Sequence, residues 1–208
     1  MSKPLPGRQG QAARNNQVIL DAARDVFLAD AKAPIAAVAE RAGVGISALY
    51  RRYASKEDLL RTLCHDGLRR FLAEAEAALA EPDGWAAFVG FLQRIVDADV
   101  HSFTVHLAGT FTPTPEMRAD AERSDVMVKK LFARARASGR LRRDVVVHDV
   151  TLLLEGCAAV RVPDPVRTKQ LRQRYLGMLL VGLADGPGSL PGPPPKQGEL
   201  SWRWRSVA

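Results

Sequence analysis

The chain has 208 residues, 47% hydrophobic and 25% charged, and a net charge of +7. That balance fits a folded chain with a sizeable core and excludes a disordered or collagenous one. No apolar run is long enough to span a membrane, and the polar start MSKPLPGRQGQAARNN lacks the apolar centre of a secretory signal, so a cytoplasmic protein with no membrane partner is expected.

Apolar residues recur at spacings of three and four in nearly every long segment, and strand-like alternation is scarce, so the fold is expected to be all-α, with about nine helices. Residues 1–14 carry Lys3, Arg8 and Arg14 and no acid, and read as a flexible basic arm. A first helix is expected from Asn15 to Ala29, with Asn15 or Asn16 as its cap and Val18, Ile19, Ala22, Ala23, Val26 and Phe27 on one face. A second begins at Pro34, a residue suited to the first helical position, and ends before Gly43, a candidate left-handed turn residue. A third short helix spans Gly45 to Tyr53. The fourth starts at Ser55 with a capping-box pattern, in which Asp58 stands three residues after the cap, and continues to Leu79.

Glu81-Pro82-Asp83-Gly84 breaks the pattern. A helix from Trp85 to Asp99 follows, then a less regular stretch to Phe111 and a second break at Thr112-Pro113-Thr114-Pro115. A long polar helix runs from Pro115 to Ser138 and stops at Gly139. After a basic connector, two helices are expected at 147–161 and 165–185. From Gly186 the chain is rich in Gly and Pro and reads as a tail, disordered or packed on the surface. The expected domains are therefore 1–14, 15–60, 61–185 and 186–208. Trp202-Arg203-Trp204-Arg205 suits either a nucleic-acid contact or a tail folded over apolar surface.

Little in the chain points to catalysis or metal chemistry. There is no nucleophile–base pair, phosphate loop or Cys/His cluster with metal spacing, so no enzyme, cofactor or metal site is expected. His101 and His106 are five apart, a poor helical pair. Cys64 and Cys157 sit in apolar patterns and read as buried small hydrophobes. The positive charge favours a polyanionic partner, but it is spread out: residues 1–60 hold nine Lys/Arg against six Asp/Glu.

The informative stretch is PIAAVAERAGVGISALYRRYASK, from Pro34 to Lys56. Two short helices joined by an Ala-Gly-Val turn make a helix-turn-helix. Ala39 allows close approach, Gly43 turns without a Cβ penalty, and Val44 and Leu49 pin the second helix. Its outward residues are Ile46, Ser47, Ala48, Arg51 and Arg52. They are the candidate base readers, since arginine can bond guanine bidentately and small apolar groups can meet a thymine methyl in the major groove.

Val38-Ala39, Ala42-Gly43-Val44, Leu49-Tyr50, Tyr53, Ser55-Lys56-Glu57 and Leu59-Leu60 together resemble the DNA-binding domain of the TetR family of transcriptional regulators, over about residues 15–60. The resemblance implies phosphate contacts at Pro34, Tyr50 and Lys56, the last at a helix N-terminus. Three positions depart from the family pattern. Pro34 replaces a frequent Thr and removes a hydroxyl, Gly45 replaces a Ser or Thr cap, and Ser47 replaces a Gly and brings a hydroxyl to the DNA side.

The resemblance further implies a homodimer on a palindromic DNA operator, most simply a repressor released by a small apolar effector. An activator and a helical protein-interaction module remain alternatives. The dimer interface is expected at Leu153, Leu154, Cys157, Leu171, Tyr175 and Leu179. The effector pocket is expected among Trp85, Phe88, Leu92, Phe103, Phe111, Met127 and Leu131, with Glu155 as a polar anchor.

Overall fold

A computed structural model describes residues 6–102, 107, 109–184, 186 and 188–200. Its elements among these residues are helices: α1 (Pro6–Ala29), α2 (Ile35–Ala42), α3 (Ile46–Arg52), α4 (Lys56–Leu79), α5 (Gly84–Asp97), α6 (Pro115–Ala137), α7 (Asp149–Ala159) and α8 (Pro165–Leu183). The chain divides into two compact units, a head over residues 1–64 and a body over 65–208. No helix among the described residues is long and apolar enough to cross a membrane.

In the head, Ile19, Leu20, Ala23, Phe27, Val38, Leu49, Leu59 and Leu63 are all buried. α1 starts at Pro6, so the segment read as a flexible arm is helical from there on. Proline is well placed in a first turn, where its missing N–H needs no partner. The same extension removes Asn15 and Asn16 from the cap position assigned to them. Gly43 adopts φ +65° at the end of α2. Its N–H bonds Glu40 O at 3.1 Å and the Val44 N–H bonds Ala39 O at 3.0 Å, the paired closure of a Schellman motif. The Ser55 hydroxyl accepts the Asp58 N–H at 3.1 Å, as a capping box requires, while the Asp58 carboxylate reaches back to the Ala54 N–H at 3.2 Å.

In the body, α5 is the central helix. Trp85, Phe88, Phe91, Leu92 and Ile95 lie in one cluster with Leu131, Leu141, Leu154, Cys157 and Leu176. Side chains cap three helix starts: Asp83 accepts from Ala86 N–H at 2.7 Å, Thr114 from Met117 N–H at 3.1 Å, and Asp164 from Val166 N–H at 2.8 Å. A Cβ on Gly84 would lie 2.4 Å from the Arg134 carbonyl oxygen, so only glycine lets α5 begin against α6. Arg134 in turn donates to the carbonyls of Leu79, Glu81 and Pro82 and fixes the turn into α5.

The tail is held to the body. Arg142 donates to Asp144 and to the Gly188 carbonyl, and the Leu190 N–H donates to Asp144 at 2.7 Å. The Arg142 guanidinium, followed by the Leu190 amide, holds the Asp144 carboxyl well below the usual carboxylate range. This clasp therefore persists through mildly acidic pH and is lost only as pH falls through that depressed value. Trp202 to Arg205 lie outside the described residues.

Among the described residues one charged side chain reaches the body's interior. Arg172 is 6% exposed. Its Nη1 lies 2.5 Å from Asp99 Oδ1, and it donates to the Val160 and Ala158 carbonyls at the end of α7. A cation at a helix C-terminus complements the helix dipole, and bonding to three partners offsets the cost of burial. Replacing Arg172 with Met, which keeps the stem and removes every donor, is expected to lower stability by about 2 kcal/mol or more, because Asp99 and two carbonyls lose their partner. Urea unfolding checks this against Arg123→Met at an exposed pair, expected to change stability by under about 1 kcal/mol.

Candidate nucleic-acid interface

α3 has seven residues, and only Leu49 among them is fully buried. Gly45 caps its start with no side-chain bond, and Tyr53 follows its last residue. Tyr53 is 3% exposed, and its hydroxyl bonds Asn16 Oδ1 at 2.5 Å. Leu49 and Tyr53 thus hold α3 from inside. Ile46, Ser47, Tyr50, Arg51 and Arg52 face outward, and Ala48 is half-buried. Ile46 and Tyr50 are 39% and 50% exposed, large for apolar residues on so short a helix. α3 has no acid in its first turn and two arginines in its last. The nearby acids of α4 are engaged: Glu57 pairs with Arg61 at 2.9 Å and Asp58 takes part in the capping box.

The proposed phosphate positions differ in state. Tyr50 is exposed. Pro34 is exposed as the N-cap of α2, with extended backbone (φ −71°, ψ 153°), one residue outside the helix it was expected to begin. Lys56 is committed inward. Its ammonium donates to the Ala31 carbonyl at 3.0 Å and the Ala33 carbonyl at 2.6 Å, and stands 5.1 Å from the centre of the Phe27 ring. It therefore closes the loop between α1 and α2.

Sequence reasoning missed this role of Lys56 and the Asn16–Tyr53 bond. The spacing shows that Lys56 opens a helix, but not that a loop 23 residues upstream folds under its ammonium. Asn16 looked like a cap only because α1 was started too late.

Cys157 is buried, as the sequence suggests, whereas Cys64 is half-buried. Burial pushes the Cys64 thiol up to about 12, against the pull of Arg24, and the Cys157 thiol up to about 11, against Arg172. Both stay protonated at neutral pH, the unreactive form.

In the body, two assignments need correction. Trp85, Phe88, Leu92 and Leu131 are packed core, with Phe88 flanked by the rings of Trp85 and Phe132. Phe111 is buried, Met127 packs partly buried against the cluster, and Glu155 is half-buried and partnered. Phe103 lies outside the described residues. Elsewhere, the described residues line a cavity of about 10 Å³ bounded by Asp99, His101, Ser102, Cys157 and Arg172 among others, and a groove of about 290 Å³ between Asp125, His148, Thr151 and tail residues 196–198 and 200. Large apolar residues at helical spacing look the same in sequence whether they line a cavity or fill one.

Three of the six expected dimer residues turn inward. Leu153, Leu154 and Cys157 are buried in the chain's own core, and Leu171, Tyr175 and Leu179 are partly covered. Tyr175 lies over Gly156, where an added Cβ would come within 3.2 Å of its hydroxyl. The apolar residues left exposed on α7 and α8 are Leu152, Val166, Met178 and Val181. Both helices are apolar on more than one side, so periodicity did not distinguish inner from outer faces.

The family model described as bacterial regulatory proteins of the tetR family matches residues 19–63, and the model for the C-terminal domain of SbtR-like transcriptional regulators matches residues 83–185. Among solved structures, the chain is similar to the TetR transcriptional regulator SCO0520 from Streptomyces coelicolor (24% identity, 82% of this chain and 99% of that one, TM-score 0.58). A TetR regulatory protein from Mycobacterium vanbaalenii is 26% identical over 85% of this chain and 99% of its own, with TM-score 0.56. LfrR from Mycobacterium smegmatis, solved in complex with proflavine, is 23% identical over 86% of this chain and 99% of its own, with TM-score 0.62. A comparison with curated proteins gives no match.

The geometry separates Lys56 from Tyr50 by a stability measurement. Lys56→Met, which keeps the stem but removes the donors, is expected to cost about 2 kcal/mol, the worth of charge-assisted bonds to two carbonyls. Tyr50→Ala, at an exposed position, should shift stability by no more than about 0.5 kcal/mol. Urea or thermal unfolding of both variants measures the contrast.

Proposed function

The chain belongs to the TetR family of DNA-binding transcriptional regulators, and we propose that it is a homodimeric repressor which a small molecule releases from its operator. It is a regulator and not an enzyme. The observation that carries the DNA-reading part is the outer face of α3: Ile46, Ser47, Tyr50, Arg51 and Arg52 are exposed on a helix whose inner face is locked by Leu49. A helix of this kind fits the major groove. In this reading Arg51 and Arg52 bond base edges, and Ile46, Ser47 and Ala48 sit close to the bases. Tyr50 donates its hydroxyl to a phosphate, and the exposed N-terminus of α2 at Pro34 offers backbone N–H groups to another. Lys56 serves binding chiefly by holding the α1–α2 loop in place.

Dimerisation is supported by the exposed apolar residues of α7 and α8. Leu152, Met178 and Val181 are 50%, 58% and 78% exposed, and a second copy would cover them. A two-fold dimer presents two copies of α3 to two half-sites, so the operator is an inverted repeat. Release by a small molecule is supported by the likeness to LfrR, solved with proflavine. The cavity beside Asp99 and Arg172 holds about one water molecule, so an effector seated there requires the body to open. An effector that prefers the opened body lowers operator affinity by that preference.

Selection from a random DNA pool with the purified chain tests the reading. Enrichment of an inverted repeat is expected, and no enriched sequence would contradict it. On the enriched site, Tyr50→Ala should weaken binding about equally across sequences and reduce the salt dependence by about one phosphate contact. Arg51→Ala or Arg52→Ala should cost about 1–3 kcal/mol and relax the preference at one base pair in each half-site.

A further inference from the structure

We propose that His65, Glu116 and Asp120 form a binding site for one divalent transition-metal ion of the zinc class. His65 comes from α4, and Glu116 and Asp120 stand one turn apart near the start of α6. One ligand atom of each lies within 4.8 Å of the other two. His65 Nε2 and Asp120 Oδ2 are 2.8 Å apart, with side chains only 12% and 22% exposed. Glu116 is 67% exposed and closes the open side. No sequence spacing announces this group, because its members are 51 and 55 residues apart along the chain.

The donor set is one imidazole nitrogen and two carboxylates, which suits zinc and its first-row neighbours and no soft thiophilic ion. Zinc bonds nitrogen and oxygen at about 2.0–2.2 Å, so the three atoms must move only modestly to converge on one ion. The His65–Asp120 hydrogen bond already places these two ligand atoms side by side, and the ion takes the place of the bridging proton. The two carboxylates match its charge, and water fills the remaining position. Glu116 is held at present by Arg69, whose Nη2 lies 2.8 Å from it. That pair is exposed and worth little, so a metal ion can displace it. Arg69 nonetheless opposes binding, by occupying one ligand and adding a positive charge nearby. Neighbouring Arg123 pairs with Glu76 and leaves Asp120 to His65. A bound ion would tie α4 to α6 more strongly than these side-chain bridges do.

The test is a zinc titration of the full-length, tag-free chain in competition with a chromophoric chelator, with cobalt absorption as a second readout and circular dichroism to confirm folding. One zinc per chain is expected, at micromolar affinity or tighter. His65→Gln keeps a donor for Asp120 but removes the imidazole, and Asp120→Asn removes a charged ligand. Each should weaken binding at least about tenfold, since even outer-shell losses cost that much. Arg69→Ala should tighten binding by releasing Glu116, a response that a purely structural ion-pair cluster would not give. Absence of micromolar zinc binding, or equal affinity in the chain and its His65→Gln variant, would overturn the site. Unchanged or weaker binding in Arg69→Ala would overturn the three-ligand assignment.

Discussion

The head depends on one buried-facing cation. The Lys56 ammonium gathers the carbonyls of Ala31 and Ala33 under the first turn of α4 and sits over the Phe27 ring. Loop carbonyls have no helical partner, and a charged donor satisfies two of them at once. Because this bond joins the α1–α2 loop to the start of α4, the segment between them, α2 and α3, is fixed at both ends. The Schellman turn at Gly43 and the Tyr53–Asn16 bond then set the angle of α3 from within. What is left for α3 to offer outward is a row of side chains that do no structural work, and that freedom suits them to read a ligand.

The body follows a different rule. Its core is built around α5, and the buried charge among the described residues, Arg172, is bonded to Asp99, Val160 and Ala158. Such a bonded group specifies one arrangement of α7, α8 and the end of α5. Asp99 itself sits at φ +51°, a strained value for a residue with a side chain. The small cavity beside this pair therefore adjoins the part of the body under most constraint. In the proposed mechanism, an effector has to act against that constraint.

Much of this was legible in the sequence. Apart from the early start of α1 at Pro6, the helices fell close to where the three-and-four spacing put them, and Gly43 took the left-handed turn expected of it. The outward row of α3 followed from its buried partner Leu49. What was not legible depends on tertiary neighbours. That the Lys56 ammonium bonds the α1–α2 loop was not legible, because pattern alone cannot show a loop folding beneath it. Leu153, Leu154 and Cys157 looked like an interface, and Trp85 and Phe88 like a cavity wall, because an apolar face does not state what covers it. His65, Glu116 and Asp120 were invisible as a group, since only the packing of α4 and α6 brings them together.

The central claim is that α3 enters the major groove and reads guanine with arginine. Methylation protection of guanine N7 on a selected operator measures this directly, because N7 lies in the major groove where an arginine would bond it. At full occupancy, at least one guanine in each half-site should be protected, with the two protected patches about one helical turn apart. Protection at one of them should disappear from both half-sites in Arg51→Ala or Arg52→Ala. Full occupancy with every guanine N7 still reactive would contradict the account.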